Sequence, residues 1–307
     1  MATATAAMKR SLSAQSGLGA LRDSSGLLRD TLQAGSLHHN ALRARMAEDG
    51  YLFLRGVQRR DNVQAARDAV IAYMDRCNYL DRGFPSNDAV LAADHRGGVY
   101  MGGRTQITHQ PDVLALLESA EIMAFFNRFL DTAPLPIGYK WLRAAGAGAT
   151  DPHYDVVYMG RGTPNLYTCW MALGDISLRE GPLAVLRGSH NLESYRRVRE
   201  TYGKADVDRD NISSFFSHDP FEIVEGYGGE WQSSDFKMGD VIIFTMLTMH
   251  ASLENQSSKA RISCDTRFQP ANEPLDERWI GREPAGNYAW KKTPVIPTNE
   301  SRKQWGV

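Results

Sequence analysis

Two stretches of the sequence carry its strongest signal: Asp151-Pro152-His153-Tyr154-Asp155 and, much later, Phe244-Thr245-Met246-Leu247-Thr248-Met249-His250. The first is strand-like, and residues i and i+2 of a strand project from the same face, so the His153 and Asp155 side chains would point together. The second is an apolar strand that ends in a histidine. Two imidazoles and a carboxylate form a common ligand set for a divalent transition metal. The pattern therefore predicts a metal site made of His153, Asp155 and His250.

A basic residue close behind His250 supports this prediction. Residues 254–259 have the composition of a turn, and residues 260–265 resemble a returning strand. If residue 253 pairs with residue 260, Ser252 lies opposite Arg261 and His250 lies opposite Ser263. A buried arginine needs an anionic partner, and its guanidinium can hold a carboxylate with two hydrogen bonds. The sequence thus indicates a small carboxylate ligand held by Arg261 and Ser252 beside the metal.

The composition is that of an ordinary globular protein. The 307 residues carry a formal net charge of −1, which gives no general attraction to nucleic acid or to an acidic membrane surface. No run of about 18 apolar residues is present, so no membrane segment is predicted. The three cysteines are widely spaced and form no CxxC pair, which favours a reducing compartment such as the cytoplasm. Residues 1–22 contain basic residues and no acid, so an organelle transit peptide is the alternative.

The order of predicted elements indicates one α+β domain. Helical spacing over 38–48, 61–76 and 112–130 precedes a series of short strand-like runs at 137–143, 153–158, 166–173, 183–187, 239–246, 248–254 and 260–268. Helices followed by many short strands favour a β-sandwich or barrel that holds the site. We expect an N-terminal tail over residues 1–35, a single domain over 36–270 with its β core from about 136, and a C-terminal extension over 271–307. The weakly periodic segment 201–236 is expected to be a lid.

These motifs together resemble the phytanoyl-CoA dioxygenase family. The HxD at 153–155, the His-Ala-Ser at 250–252 and the spacing from His250 to Arg261 match that family's pattern. Two further similar stretches are Gly181 to His190, in which Arg187 stands where proline is usual, and Leu42 to Gly56. The resemblance spans about residues 40–270, which is most of the chain.

The resemblance implies a double-stranded β-helix (jelly-roll, cupin-like) core flanked by N-terminal helices. It also implies Fe(II) held by His153, Asp155 and His250, with 2-oxoglutarate and O2 as cosubstrates and succinate and CO2 as products. Arg261 and Ser252 would bind 2-oxoglutarate, and Trp170 would line its pocket, although a structural role for this tryptophan is equally expected. The implied activity is oxidation, most simply hydroxylation, of a small organic substrate. Candidate substrate contacts are Arg104, Tyr158 and Trp231.

Two other classes of protein remain open at this point. A non-oxidative cupin-like metalloenzyme, a hydrolase or an isomerase, could use the same ligands with Zn(II). A regulatory protein could keep the fold and bind 2-oxoglutarate without turnover. Arg261 and Ser252 argue against the first alternative because they have no obvious task without a keto acid. The intact ligand set argues against the second.

Overall fold

The computed structural model describes residues 10–34 and 39–307. Its helices are α1 (Ser25–Ala34), α2 (His39–Asp49), α3 (Arg60–Arg76), α4 (Thr105–Thr108), α5 (Pro111–Leu117), α6 (Ala120–Leu130), α7 (Val156–Met159), α8 (Arg196–Glu200), α9 (Pro220–Tyr227), α10 (Ala289–Lys292) and α11 (Thr298–Trp305). Its strands are β1 (Gly19–Ala20), β2 (Tyr51–Leu54), β3 (Val99–Tyr100), β4 (Pro134–Pro136), β5 (Trp141–Ala145), β6 (Tyr167–Ala172), β7 (Leu183–Arg187), β8 (Glu230–Ser233), β9 (Val241–Thr245), β10 (His250–Ser252) and β11 (Arg261–Pro270).

The strands form two sheets that face each other. The larger sheet has the order β2-β9-β6-β11-β5-β3, with β4 also paired to β11, and the smaller sheet has the order β1-β8-β7-β10. The pairing is antiparallel except between β1 and β8. The chain passes repeatedly from one sheet to the other, as in a double-stranded β-helix. The predicted α+β jelly-roll class is confirmed.

Alternation along strand β9 shows how the larger sheet is covered on both faces. Val241 and Ile243 belong to the apolar cluster under α3, α5 and α6, whereas Ile242 and Phe244 belong to the cluster between the two sheets. Successive side chains of a strand point to opposite faces, so a strand buried on both sides needs a continuous apolar run. The run Val241–Phe244 meets this requirement, and it leads directly to the turn before His250.

The helix predicted over residues 112–130 is wrong as a single element, because the chain forms two helices there. Helix α5 ends at Leu117, and α6 begins after Ser119, whose hydroxyl accepts a hydrogen bond from the Ile122 amide at 3.3 Å. Serine at this position satisfies an amide that a helix start leaves without an intrahelical partner. Apolar residues at helical spacing continue through both helices, which is why periodicity alone did not reveal the break.

The two terminal segments pack against the β core where they are described. Residues 10–34, expected as part of a tail, carry strand β1 and helix α1, and Leu12 and Leu21 are buried. The expectation for residues 1–9, including the start of the predicted transit peptide, lies outside the described residues. The extension over 271–307 also packs on the domain through the buried side chains of Arg278, Trp279 and Asn287.

Arg278 anchors the C-terminal extension through a buried ion network. Its guanidinium lies 3.1 Å from the Asp206 carboxylate, 2.7 Å from that of Asp208 and 2.6 Å from that of Asp276. Removing one partner of a buried ion pair leaves the remaining charges buried without a counter-charge. Arg278→Ala is therefore expected to lower the free energy of unfolding by about 3 kcal/mol, measured by urea denaturation. The exposed Arg282→Ala is the matched control, and equal stability of the two variants would contradict the anchoring role.

Candidate active site

His153 and His250 are brought together by a short backbone bridge between the segments that carry them. The His153 amide donates to the His250 carbonyl at 3.0 Å, the His250 amide donates to the His153 carbonyl at 3.1 Å, and the imidazole centroids lie 4.2 Å apart. The strand predicted over 153–158 is wrong, because the chain leaves this bridge and enters helix α7 directly after Asp155. The turn, rather than strand alternation, brings the Asp155 carboxylate beside the two rings.

The three side chains form a buried cluster that can hold one metal ion. Their potential ligand atoms all lie within 4.8 Å of one another. The Asp155 Oδ1 atom lies 3.9 Å from His153 Nε2 and 3.7 Å from His250 Nε2. An ion bound at about 2.1 Å from each ligand atom can bridge such a spacing. The arrangement is that of a facial triad, which leaves the other side of an ion open to small ligands.

Backbone carbonyls set the tautomer of both histidines. The Nδ1 atom of His153 lies 2.8 Å from the Asp151 carbonyl oxygen, and that of His250 lies 3.0 Å from the Thr248 carbonyl oxygen. A carbonyl oxygen only accepts, so each Nδ1 carries the proton and each Nε2 has a lone pair for a metal. Burial lowers the pKa of His153 to about 3 and also lowers the pKa of His250. Both rings are therefore neutral near pH 7, as metal ligation requires.

Asp155 is held ionised, and one of its oxygens is left for the metal. Burial alone would raise the pKa of its carboxyl group, but the charge of Arg267 and the hydrogen bond from Thr168 hold it well below the usual range. Arg267 donates to Asp155 Oδ2 at 2.8 Å, and Thr168 donates to the same atom at 2.5 Å. Oδ1 is the atom that faces the histidines. Arg267 and Thr168 thus orient the carboxylate from behind, as groups outside the metal ligands commonly do.

An inner cavity connects the triad to Arg261. His153, His250, Trp170, Ser252 and Arg261 all line it. The structure thus brings these predicted side chains together in one cavity. The Cζ atom of Arg261 lies 5.7 Å from the Trp170 ring centroid, so the indole forms one side of the space beside the guanidinium.

Arg261 is a buried cation with an unfilled hydrogen-bonding capacity. It is 5% exposed, one of its terminal nitrogens donates to Ser263 Oγ at 2.8 Å, and its Nε has no hydrogen-bond partner among the described residues. No carboxylate of the described residues lies within ion-pair distance of it. Burial and the nearby charge of Arg143 lower its pKa to about 10, so the guanidinium is still charged near pH 7. Such a charge is costly unless an anion occupies the cavity.

The predicted pairing of residues 250–252 with 261–263 is wrong, although the side chains meet as expected. Ser252 pairs with Leu183 in the smaller sheet, whereas Arg261 pairs with Ala145 in the larger sheet. The Asn255 side chain donates to the Ala145 carbonyl at 3.0 Å and to the Lys259 carbonyl at 2.8 Å, which directs the connection across to the opposite sheet. The two strands therefore face each other across the cavity instead of forming a hairpin.

A larger outer cavity of about 450 Å³ opens in front of the triad, and both His153 and Asp155 line it. Of the three predicted substrate contacts, the structure brings Tyr158 to this cavity. The Arg104 guanidinium donates to the Tyr79 hydroxyl at 2.5 Å instead. Trp231 lies buried in an apolar cluster of the other sheet, with its indole nitrogen donating to the Pro220 carbonyl at 2.9 Å. Neither of these residues lines the outer cavity.

Sequence analysis missed Arg267, which the structure places behind Asp155. Its signal was present, because Arg261, Ser263, Asp265 and Arg267 alternate along a single strand and must share one face. The Asp265 carboxylate lies 2.5 Å from both Arg143 and Arg267. Four polar side chains on the inner face of a buried strand require partners inside the molecule. This pattern could have predicted that the whole strand lines the site.

A double-stranded β-helix with a facial triad between its sheets defines the class of cupin-fold mononuclear iron enzymes. Residues 46–263 match the family model described as Phytanoyl-CoA dioxygenase (PhyH), which covers more than half of the chain. The protein therefore belongs to the phytanoyl-CoA dioxygenase family, and the predicted resemblance is confirmed. No curated protein sequence was found to match the chain.

Solved structures of similar fold include three proteins of low sequence identity. The alpha ketoglutarate dependent carbocyclase SnoK from nogalamycin biosynthesis is 16% identical with a TM-score of 0.55, over 86% of this chain and 94% of that chain. The epimerase SnoN, in complex with Fe3+, alpha ketoglutarate and nogalamycin RO, is 16% identical with a TM-score of 0.55, over 84% of this chain and 93% of that chain. EctD from S. alaskensis, in its apoform, is 18% identical with a TM-score of 0.54, over 84% of this chain and 86% of that chain. At these identities the similarity shows the fold alone.

No helix in the described part of the chain combines the length and apolar character needed to cross a bilayer.

Proposed function

We propose that this protein is an Fe(II)- and 2-oxoglutarate-dependent oxygenase that oxidises, most simply by hydroxylation, a small organic molecule. The observation that carries this proposal is Arg261, a buried cation that lines the same cavity as the triad and forms no ion pair with a carboxylate of the described residues. A ligand with a keto acid at one end and a carboxylate at the other suits both the open side of the metal and the guanidinium. Among structures with this fold, SnoN is in complex with Fe3+ and alpha ketoglutarate, and SnoK is an alpha ketoglutarate dependent enzyme.

Each residue of the site then has a task. His153, Asp155 and His250 would hold Fe(II), and bound iron with 2-oxoglutarate and O2 supplies the oxidising chemistry, with succinate and CO2 as products. Arg261 would bind the distal carboxylate of 2-oxoglutarate through charged hydrogen bonds. The Thr150 amide donates to Ser252 Oγ at 2.8 Å, which leaves the Ser252 hydroxyl hydrogen for the same carboxylate.

The side chains around the triad would position the substrate and limit the access of water. Tyr158 and Phe215 stand edge-on to His153, each with its ring centroid 5.7 Å from the imidazole centroid. Burial raises the pKa of the Tyr158 phenol, so it stays protonated and uncharged near pH 7. Phe215 belongs to the segment 201–236, which was predicted to be a lid. The proposed substrate position is the outer cavity between these rings and the triad.

A non-oxidative zinc enzyme on the same fold is less well supported. Such an enzyme would use the triad but would leave the Arg261 charge buried without a partner. The nature of the oxidation needs a direct measurement, since SnoN is named as an epimerase and SnoK as a carbocyclase. Product analysis by mass spectrometry separates hydroxylation, which adds one oxygen atom, from these outcomes.

The proposal is tested by anaerobic titration of the metal-free protein, first with Fe(II) and then with 2-oxoglutarate. A visible charge-transfer band is expected when the keto acid chelates the iron, and admission of O2 is expected to release succinate. His153→Ala, which removes one ligand, should give neither signal. Iron binding by the wild-type protein without the band and without succinate would refute the proposal and favour the non-oxidative alternative.

A further inference from the structure

The outer cavity is walled mainly by aromatic side chains. The aromatic residues that line it are Tyr100, Tyr139, Trp141, Tyr158, Phe215 and Trp279. Its volume of about 450 Å³ lies in the range of cavities that enclose a small organic ligand. Aromatic walls favour apolar, flat surfaces over flexible chains, since ring pairs gain from stacked and edge-to-face contacts.

Three of these rings pack against one another, tilted or edge-to-face, and together make up part of the cavity wall, here called the three-ring surface. The Tyr139 ring centroid lies 4.5 Å from that of Trp141 and 5.1 Å from that of Trp279, and the two tryptophan rings are 5.1 Å apart. Arg267 covers the Trp141 ring at 3.6 Å from its centroid, which holds that ring in place. The triad, flanked by Tyr158 and Phe215, belongs to the same cavity. A ring system lying against the three-ring surface would therefore be within the cavity that contains the metal ligands.

Asn287, a residue of the cavity wall, carries a buried hydrogen-bond acceptor. Its Nδ2 donates to the Tyr158 carbonyl at 3.1 Å and to the Asp208 carboxylate at 3.0 Å. Both partners only accept, so the orientation of the amide is determined. Its Oδ1 is buried and accepts no hydrogen bond from the described residues. An unsatisfied buried acceptor is costly, and a hydroxyl or N–H group on a bound ligand would satisfy it.

Lys291 adds an exposed positive charge to the cavity wall. Two other cations line the outer cavity, and both are neutralised, Arg143 by Asp265 at 2.5 Å and Arg267 by Asp155 at 2.8 Å. Lys291, an exposed residue that also lines the cavity, forms no ion pair with any described residue. A ligand with an acidic group would supply the missing counter-charge.

Part of the wall of the outer cavity comes from the C-terminal extension. Trp279, Asn287 and Lys291 all lie beyond residue 263, where the match to the family model ends. The triad and Arg261 lie within the matched region. The triad with Arg261 and this wall of the outer cavity therefore come from different parts of the chain, and the extension is the part that can adapt the site to one substrate.

From these observations we infer that the substrate is a planar ring compound with an acidic substituent and a hydroxyl group. Lys291 selects for the acid, Asn287 for the hydroxyl, and the Tyr139, Trp141 and Trp279 surface for the ring. This inference about the substrate rests on the proposed function, but binding of a ring compound in the outer cavity does not require turnover. The two can therefore be tested separately.

The test uses calorimetric titration of the full chain loaded anaerobically with Fe(II) and 2-oxoglutarate, and of the metal-free chain. The probe is 6-hydroxy-2-naphthoate. Of its comparators, 2-naphthoate lacks the hydroxyl, 2-naphthol lacks the acid, and decanoate, which is compared with 2-naphthoate, lacks both the ring and the hydroxyl. The complete probe is expected to bind at least about threefold more tightly than each comparator, since each comparator loses at least one hydrogen bond, ion pair or ring contact. Equal affinities, or no binding of any ring probe, would overturn the inference.

Two variants assign the selectivity to residues. Lys291→Gln is expected to weaken binding of 2-naphthoate by about threefold, the effect of a partly exposed ion pair, and to leave 2-naphthol unchanged. Its matched control is the neighbouring Lys292→Gln, which should change neither value. Tyr139→Leu should weaken all three ring probes but not decanoate, whereas Tyr288→Leu, outside the cavity, should weaken none. If Lys291→Gln weakened the binding of 2-naphthoate and 2-naphthol equally, or weakened neither, the result would contradict selection of the acid by Lys291.

The outcomes for substrate class and for function are distinguishable. A charge-transfer band in loaded protein that binds no ring probe would leave the oxygenase proposal intact and refute the substrate class. Ring-probe binding with the expected selectivity in protein that gives no band would support the cavity's specificity and refute the 2-oxoglutarate assignment.

Discussion

Asp155→Ala is expected to lower iron-dependent succinate release by more than about a hundredfold, which exceeds the usual effect of losing a group that only orients a metal ligand. The substitution removes the only carboxylate ligand of the triad and also one of the two carboxylates that neutralise Arg267. The remaining Asp265 contact keeps Arg267 paired at 2.5 Å, so the fold is expected to persist. The measurement is succinate release with saturating Fe(II), accompanied by circular dichroism and thermal melting.

Two further variants make this result specific to metal binding. Asp155→Asn keeps the shape of the side chain but not its charge, and it should also lose most of the activity. Asp68→Ala removes an exposed carboxylate of helix α3 and should retain wild-type turnover. Near-normal succinate release by a folded Asp155→Ala protein would show that the triad is not the metal site.

The second large effect concerns the cosubstrate. Arg261→Ala is expected to weaken 2-oxoglutarate binding by about a hundredfold, since truncating one partner of a buried charged pair costs roughly 2–5 kcal/mol. Iron affinity should change little, because Arg261 is separated from the ligand atoms by the inner cavity. The affinity for 2-oxoglutarate is measured by anaerobic titration of the charge-transfer band at fixed Fe(II). The affinity for iron is measured by titration with Fe(II) in the absence of 2-oxoglutarate.

Conservative and remote substitutions control for misfolding. Arg261→Lys keeps the charge but cannot form two parallel hydrogen bonds, so it should bind 2-oxoglutarate with intermediate affinity. Arg196→Ala removes an exposed guanidinium on helix α8 and should have no effect on either titration. Parallel loss of iron and 2-oxoglutarate affinity in Arg261→Ala would instead indicate a damaged fold and would contradict the assigned role.

The ligand set could be predicted from the sequence because it depends on residue types at short range. An HxD pair, a histidine that ends an apolar strand and an arginine soon after it are visible without tertiary structure. The strand Val241–Thr245 was likewise predictable, because a buried strand needs an unbroken apolar run. The grouping of Arg261 and Ser252 with the triad was correct even though the pairing used to reach it was wrong.

Only the tertiary structure decided which elements face each other. The assignment of β10 and β11 to opposite sheets depends on a crossing held by Asn255, and no short-range pattern distinguishes such a crossing from a hairpin. The walls of the outer cavity come from segments as distant as Tyr139 and Lys291, which have no periodic relation in the sequence. Their proximity results from long-range packing of the extension on the core, with Arg278 paired to carboxylates from two segments. Residue chemistry therefore determined what the site can bind, whereas the burial of distant side chains against one another determined its shape.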